Sequence, residues 1–130
     1  MLTFKLNSMQ KVSLFFLVGF VAFVGYLVIS KILGGGFTNK LEVYVGGDKM
    51  LHLVLAFVLS FLSMMSFSHR FPWLKILAVL MVILTIEETA QHVLPNRYFG
   101  FDDLVAGWSG LICGGILYKL IKSTISQNNA

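Results

Sequence analysis

Charged residues are scarce in this chain of 130 residues, where Asp, Glu, Lys and Arg make up 12% of the sequence. That is about half of the roughly 25% typical of soluble proteins. Apolar residues make up 57%, which excludes disorder, because disordered segments have few apolar residues and much charge. A single cysteine, Cys113, cannot form a disulfide within the chain. The net charge is +4, but the sequence has no run of Lys and Arg that could contact successive phosphates of a nucleic acid. We therefore expect no nucleic-acid partner.

Four apolar stretches are long enough to cross a bilayer as helices, which takes about 20 residues. The first stretch has no charged residue from Val12 to Ser30. This uncharged run is longer than the roughly 7–15 apolar residues of a signal peptide, so it predicts an uncleaved anchor. The sequence therefore predicts an all-α, polytopic membrane protein in the lipid bilayer, with four transmembrane helices in one bundle and residues 1-130 as one domain. The predicted spans are about 12-33, 50-68, 73-94 and 104-122.

Lys and Arg are distributed unevenly between the two sides of these spans. One side holds six basic residues and no acids; the other holds four basic residues and every acid in the chain. Basic residues favour the cytoplasmic side, so we expect a multi-pass protein of the cytoplasmic membrane with both termini in the cytoplasm. The long connection 31-49 fits either a short extended piece or an interfacial segment.

Polar residues gather where the predicted helices end on the outer side. Asp48 and His52 are four residues apart, so they share one side of the first turns of the second span. On the third span, Glu88 lies about 9 Å inside the helix end. Ionisable groups inside a membrane are costly and are usually paired and often functional. We therefore predict a polar pocket, formed by Asp48, Lys49, His52, Glu88, Gln91, Arg97 and Asp103.

The fourth span carries small residues on the same face as Asp103. Their spacing of three and four residues permits close approach of another helix. The predicted helix-packing positions are Ala106, Gly107, Gly110 and Gly114.

Two interpretations of the polar pocket stay open. A salt-bridged network is favoured, because Lys49 and Arg97 can neutralise the carboxylates, and on this interpretation there is no metal site. The alternative is a divalent cation held by Asp48, His52, Glu88 and Asp103. The sequence contains no decisive nucleophile or metal motif, so neither the cofactor nor enzyme activity is predicted.

The order and spacing of these motifs over residues 48-115 resemble the VanZ-like family of small bacterial integral membrane proteins. The resemblance is carried by Asp48-Lys49-Met50-Leu51-His52, Glu88-Thr89-Ala90-Gln91, Arg97, Asp103, Ala106, Gly110 and Gly114. This chain has Ala56 where the family has an aromatic residue and Gly107 where it has asparagine. The resemblance implies a few-helix protein of the bacterial inner membrane.

The family is named after a member associated with low-level resistance to the glycopeptide teicoplanin. The resemblance therefore implies action at the cell envelope, through binding or modifying an envelope component such as a lipid, a lipid-linked precursor or a glycopeptide. The alternative is a membrane-embedded enzyme acting on a phospholipid or lipid-linked cell-wall precursor, with Glu88 or Asp103 as base or metal ligand and His52 as acid/base. A proton or ion pathway is disfavoured, because charge does not continue through the spans.

Overall fold

The fold is all-helical in the part of the chain that this computed structural model describes, residues 8–34, 36–91, 93 and 100–128. Within those residues the chain forms five α-helices and no β-strand. The helices are α1 (Ser8–Ile32), α2 (Gly36–Val45), α3 (Asp48–Phe67), α4 (Trp73–Gln91) and α5 (Phe101–Asn128).

Three of the described helices, rather than four, are long and apolar enough to cross a membrane. They are α1 over Ser8–Ser30, α3 and α5. The predicted fourth span at 73-94 corresponds to α4, which is less apolar than predicted, because charges at Lys75, Glu87 and Glu88 leave only residues 76–86 uncharged. That stretch is about 17 Å long as a helix, roughly half of the 30 Å hydrocarbon core.

The helices α3 and α5 run parallel and form the most extensive helix contact of the described chain. Gly110 lies against the carbonyl of Leu53, and Gly114 lies against the carbonyl of Phe57 one turn further along. No side chain fits between the two backbones at these positions. The hydroxyl of Ser60 donates a buried hydrogen bond of 2.6 Å to the carbonyl of Leu111 in the same contact.

The helix α4 returns antiparallel to α5 and packs mainly against α5, with a smaller contact to α3. Near its start, the indole N–H of Trp73 donates to the carbonyl of Gly115 at 3.0 Å. Near its end, Thr85 accepts a hydrogen bond of 3.2 Å from the indole of Trp108. Later residues of α4 contact earlier residues of α5, so the end of α4 lies beside the start of α5.

The helices α1 and α2 pack on the outside of this unit. Ser66 of α3 donates to the hydroxyl of Ser13 at 3.2 Å, which places the start of α1 beside the end of α3. Thr38 of α2 donates a buried hydrogen bond of 2.9 Å to the carbonyl of Leu27. The connection that the sequence left open thus contains a short helix folded back on α1. Large apolar side chains of α1, including Phe15, are exposed, as expected for a lipid-facing surface.

Candidate functional site

The candidate site lies at the end of the bundle where α3 and α5 begin and α4 finishes. Gly46 and Gly47 have φ of 106° and 124°, a backbone region that favours glycine, and they turn the chain from α2 into α3. Acidic residues follow in the first turns of both parallel helices, Asp48 in α3 and Asp103 in α5. The positive ends of two helix dipoles favour negative charge there.

Asp48, His52 and Asp103 form a half-buried group that we name the donor cluster. The Nε2 atom of His52 lies 3.6 Å from Oδ1 of Asp48, one helical turn earlier. One ligand atom from each of the three residues lies within 4.8 Å of the other two. The packing of α5 along α3 therefore brings an acid distant in sequence to the local Asp48–His52 pair.

Glu88 adds a buried carboxylate beside the donor cluster. Its side chain is 3% exposed, and it accepts a hydrogen bond from the backbone N–H of Gly100. It lies within electrostatic range of His52, which attracts it when protonated, and of Asp103 and Glu87, which repel it. A carboxylate this deeply buried needs hydrogen bonds, a proton or a cation to compensate for lost hydration.

Lys49 lies at the same end of the bundle but points away from the donor cluster. Its Nζ atom is 3.1 Å from Oδ2 of Asp102, and the two side chains are 63% and 77% exposed. An ion pair this exposed contributes little to stability, about 0–1 kcal/mol. Lys49 and Asp102 therefore link the starts of α3 and α5 at the surface, while Asp103 faces the interior.

The remaining predicted residues are divided between helix contacts and undescribed positions. Arg97 and the side chain of Gln91 lie outside the described residues. Ala106 is half-buried. A Cβ atom on Gly107 would meet the side chain of Leu84 in α4, whereas the Gly110 and Gly114 contacts described above are with α3.

The two departures from the VanZ-like pattern both lie in helix contacts. Ala56 is 3% exposed and packs against Gly110, since a Cβ on that glycine would lie 3.0 Å from the Cβ of Ala56. Gly107 is buried against α4. Small residues at these two positions permit close packing of α5 against its neighbours.

Gly100 belongs to the site although no motif in the sequence points to it. The Asp103 carboxylate folds back over it, so that a Cβ on Gly100 would lie 2.6 Å from Oδ2 of Asp103. The same glycine donates its N–H to Glu88. Gly100 thus contacts the carboxylates of both Glu88 and Asp103. The one sequence feature that could have indicated this role is its position three residues before Asp103.

Comparison of the chain with models of protein families, with curated proteins and with solved structures finds no match in any of the three. The resemblance to the VanZ-like family therefore stays a prediction, carried by the motifs.

The arrangement offers two kinds of chemistry. Two carboxylates and an imidazole can bind a cation, and an imidazole near a buried carboxylate can transfer protons. Both need the groups to be open to a ligand on at least one side, which the half-buried positions of Asp48, His52 and Asp103 provide.

Proposed function

We propose that this chain is a VanZ-like integral membrane protein of the bacterial inner membrane that binds or modifies an envelope component through its polar pocket. Its role on this proposal is low-level resistance to glycopeptides of the teicoplanin type. The observation that carries the proposal is the convergence of Asp48, His52, Glu88 and Asp103 at one end of a bundle of apolar helices. Structural stability alone does not account for so many ionisable groups in such a place.

The proposed topology has four membrane crossings, with α4 as the fourth, and both termini in the cytoplasm. Its support is the position of α4, which runs antiparallel to α5 from the contact of Trp73 with Gly115 to that of Glu88 with Gly100. The carboxylate of Glu88 is buried against protein rather than exposed to lipid. The distribution of Lys and Arg supports an outward-facing pocket.

Cysteine labelling tests this topology. In a Cys113→Ser background, a maleimide that cannot cross membranes should label Tyr44→Cys, in α2, in intact cells. It should label Ser126→Cys, near the end of α5, only after the cells are permeabilised. Both positions are exposed, so the same reagent reports on both sides. The opposite pattern would place the polar pocket in the cytoplasm and contradict an action at the outer face.

Antibiotic susceptibility tests the proposed role. We expect expression in a teicoplanin-sensitive bacterium to raise the minimum inhibitory concentration of teicoplanin, and His52→Gln to abolish the rise at equal membrane levels. Asp102→Asn is the matched control, because it removes a charge one residue from Asp103 on the exposed side of the helix. Unchanged susceptibility with the unmodified chain would contradict the resistance role.

The alternative function is a membrane-embedded enzyme acting on a phospholipid or a lipid-linked cell-wall precursor. It is favoured by the buried Glu88 carboxylate within electrostatic range of His52, since such pairs serve as acid and base in catalysis. Purified protein incubated with radiolabelled phospholipid and with lipid-linked precursor should then release a labelled product. Glu88→Gln should abolish that release; substrates unchanged by the unmodified protein would contradict this alternative.

A further inference from the structure

We propose that Asp48, His52 and Asp103 bind a divalent transition-metal ion of the zinc type between the first turns of α3 and α5. The inference deepens the proposed function and rests on it in one respect, namely that the polar pocket is a ligand site. Of the two interpretations of the polar pocket, it selects the divalent cation rather than the network of salt bridges.

The spacing of the donor cluster is suited to such an ion. Zinc binds histidine nitrogen and carboxylate oxygen at about 2.0–2.2 Å in tetrahedral geometry, so two ligand atoms on one ion lie at most about 3.6 Å apart. Asp48 and His52 are already within that limit at 3.6 Å. The full cluster, with ligand atoms within 4.8 Å of one another, closes on an ion after side-chain shifts of about 1 Å.

The chemistry of the donors indicates which class of ion binds. Imidazole nitrogen suits zinc and related first-row ions better than it suits calcium or magnesium, which prefer oxygen alone. Three protein ligands with an open fourth position are typical of zinc sites that hold water or a substrate oxygen. Because the cluster is half-buried, an oxygen of an envelope component can reach that fourth position.

The local charge also favours a cation at this place. Glu88 is buried beside His52 and Asp103, and a carboxylate near a ligating histidine strengthens the histidine as a ligand. Lys49, one of the two cations in the predicted pocket, is directed to Asp102 instead. The other, Arg97, lies outside the described residues. The experiment below therefore includes an Arg97 variant, to test whether this arginine occupies the donor cluster instead of a metal ion.

The experiment is a titration of chelator-treated, detergent-purified full-length protein with zinc chloride, followed by isothermal calorimetry and by metal analysis after gel filtration. We expect one zinc ion per chain. His52→Gln and Asp103→Asn should each weaken binding at least tenfold. Two matched controls should bind as the unmodified chain does: Asp102→Asn, and His69→Gln, which removes an exposed histidine at the far end of α3.

Three results would overturn the inference. The first is no zinc on the unmodified, folded chain, with folding checked by circular dichroism and a monodisperse elution peak. The second is binding that survives both His52→Gln and Asp103→Asn, or that is lost in either control, which would place the ion elsewhere. The third is binding that appears only with Arg97→Gln, which would show that the arginine occupies the cluster.

The inference and the proposed function can fail separately. Zinc binding in detergent depends on neither membrane orientation nor resistance, so binding without any change in teicoplanin susceptibility contradicts the resistance role alone. Resistance that depends on His52 in a chain that binds no zinc contradicts the metal site alone.

Discussion

The parallel contact between α3 and α5 gives the sharpest prediction, the effect of Gly110→Ala on stability. A Cβ atom at this position would overlap the backbone carbonyl of Leu53 and lie 3.0 Å from the Cβ of Ala56. Neither neighbour is the flexible end of a long side chain, so the two helix backbones must move apart. The substitution therefore weakens the contact that positions Asp103 beside α3.

The magnitude follows from two opposing effects. Adding a methyl group to a closely packed contact costs about 1–3 kcal/mol, whereas replacing glycine by alanine within a helix stabilises by about 0.5–1 kcal/mol. We expect a net decrease of about 1–2 kcal/mol in the free energy of unfolding. The matched control is Gly25→Ala in α1, where a Cβ meets nothing within 4 Å, and it should be neutral or stabilise by up to about 1 kcal/mol.

The assay is reversible unfolding of the purified protein in mixed micelles by increasing the mole fraction of sodium dodecyl sulfate, followed by circular dichroism. Gly110→Ala should lower the free energy of unfolding, whereas Gly25→Ala should leave it unchanged or raise it. Equal effects of Gly110→Ala and Gly25→Ala would refute the close approach of α3 and α5, and with it the register that brings Asp103 to the donor cluster.

Three further predictions concern the site and its support. Gly100→Ala should weaken zinc binding about tenfold in calorimetry, about 1.4 kcal/mol, because its Cβ would displace the Asp103 carboxylate; unchanged affinity would show that this carboxylate position is not needed. Ser60→Ala should lower the free energy of unfolding by about 1 kcal/mol by leaving the Leu111 carbonyl without its 2.6 Å hydrogen bond, and an unchanged value would contradict that role. Metal-free Glu88→Gln should melt at a higher temperature, since it removes a buried charge close to other acids; a lower melting temperature would mean that the carboxylate anchors a structural network.

The apolar helices were predictable from sequence because their cause is local. Long runs such as Val12 to Ser30 carry their own signal, and the predicted stretches overlap α1, α3, α4 and α5. The short helix α2 was not predicted, because a helix of 10 residues is marginal alone and depends on tertiary contacts such as that of Thr38 with Leu27. The composition of α4 differs from that of a fully apolar span, because the predicted stretch includes the polar end of the helix with Glu88.

The candidate site shows the same division between local and distant causes. The pairing of Asp48 with His52 follows from a spacing of four residues on one helix. The sequence favours Asp103 over Asp102 for the pocket, because Asp103 shares a face with the small residues of α5 and adjacent helix positions differ by about 100°. The sequence does not contain the rotation of α5 about its axis that brings this face against α3. Close packing at Gly110 and Gly114 sets that rotation.

The parallel contact of two helices that are not consecutive in the chain also determines the order of assembly. The helix α3 is synthesised first, and α4 must return through the bundle before α5 can lie beside α3. Until α5 arrives, the Ser60 hydroxyl has no Leu111 carbonyl to bond, and the pair Asp48–His52 has no Asp103. On the proposed topology the site is therefore completed only when α5 packs against α3, and a chain halted before Asp103 would hold two of the three residues of the donor cluster.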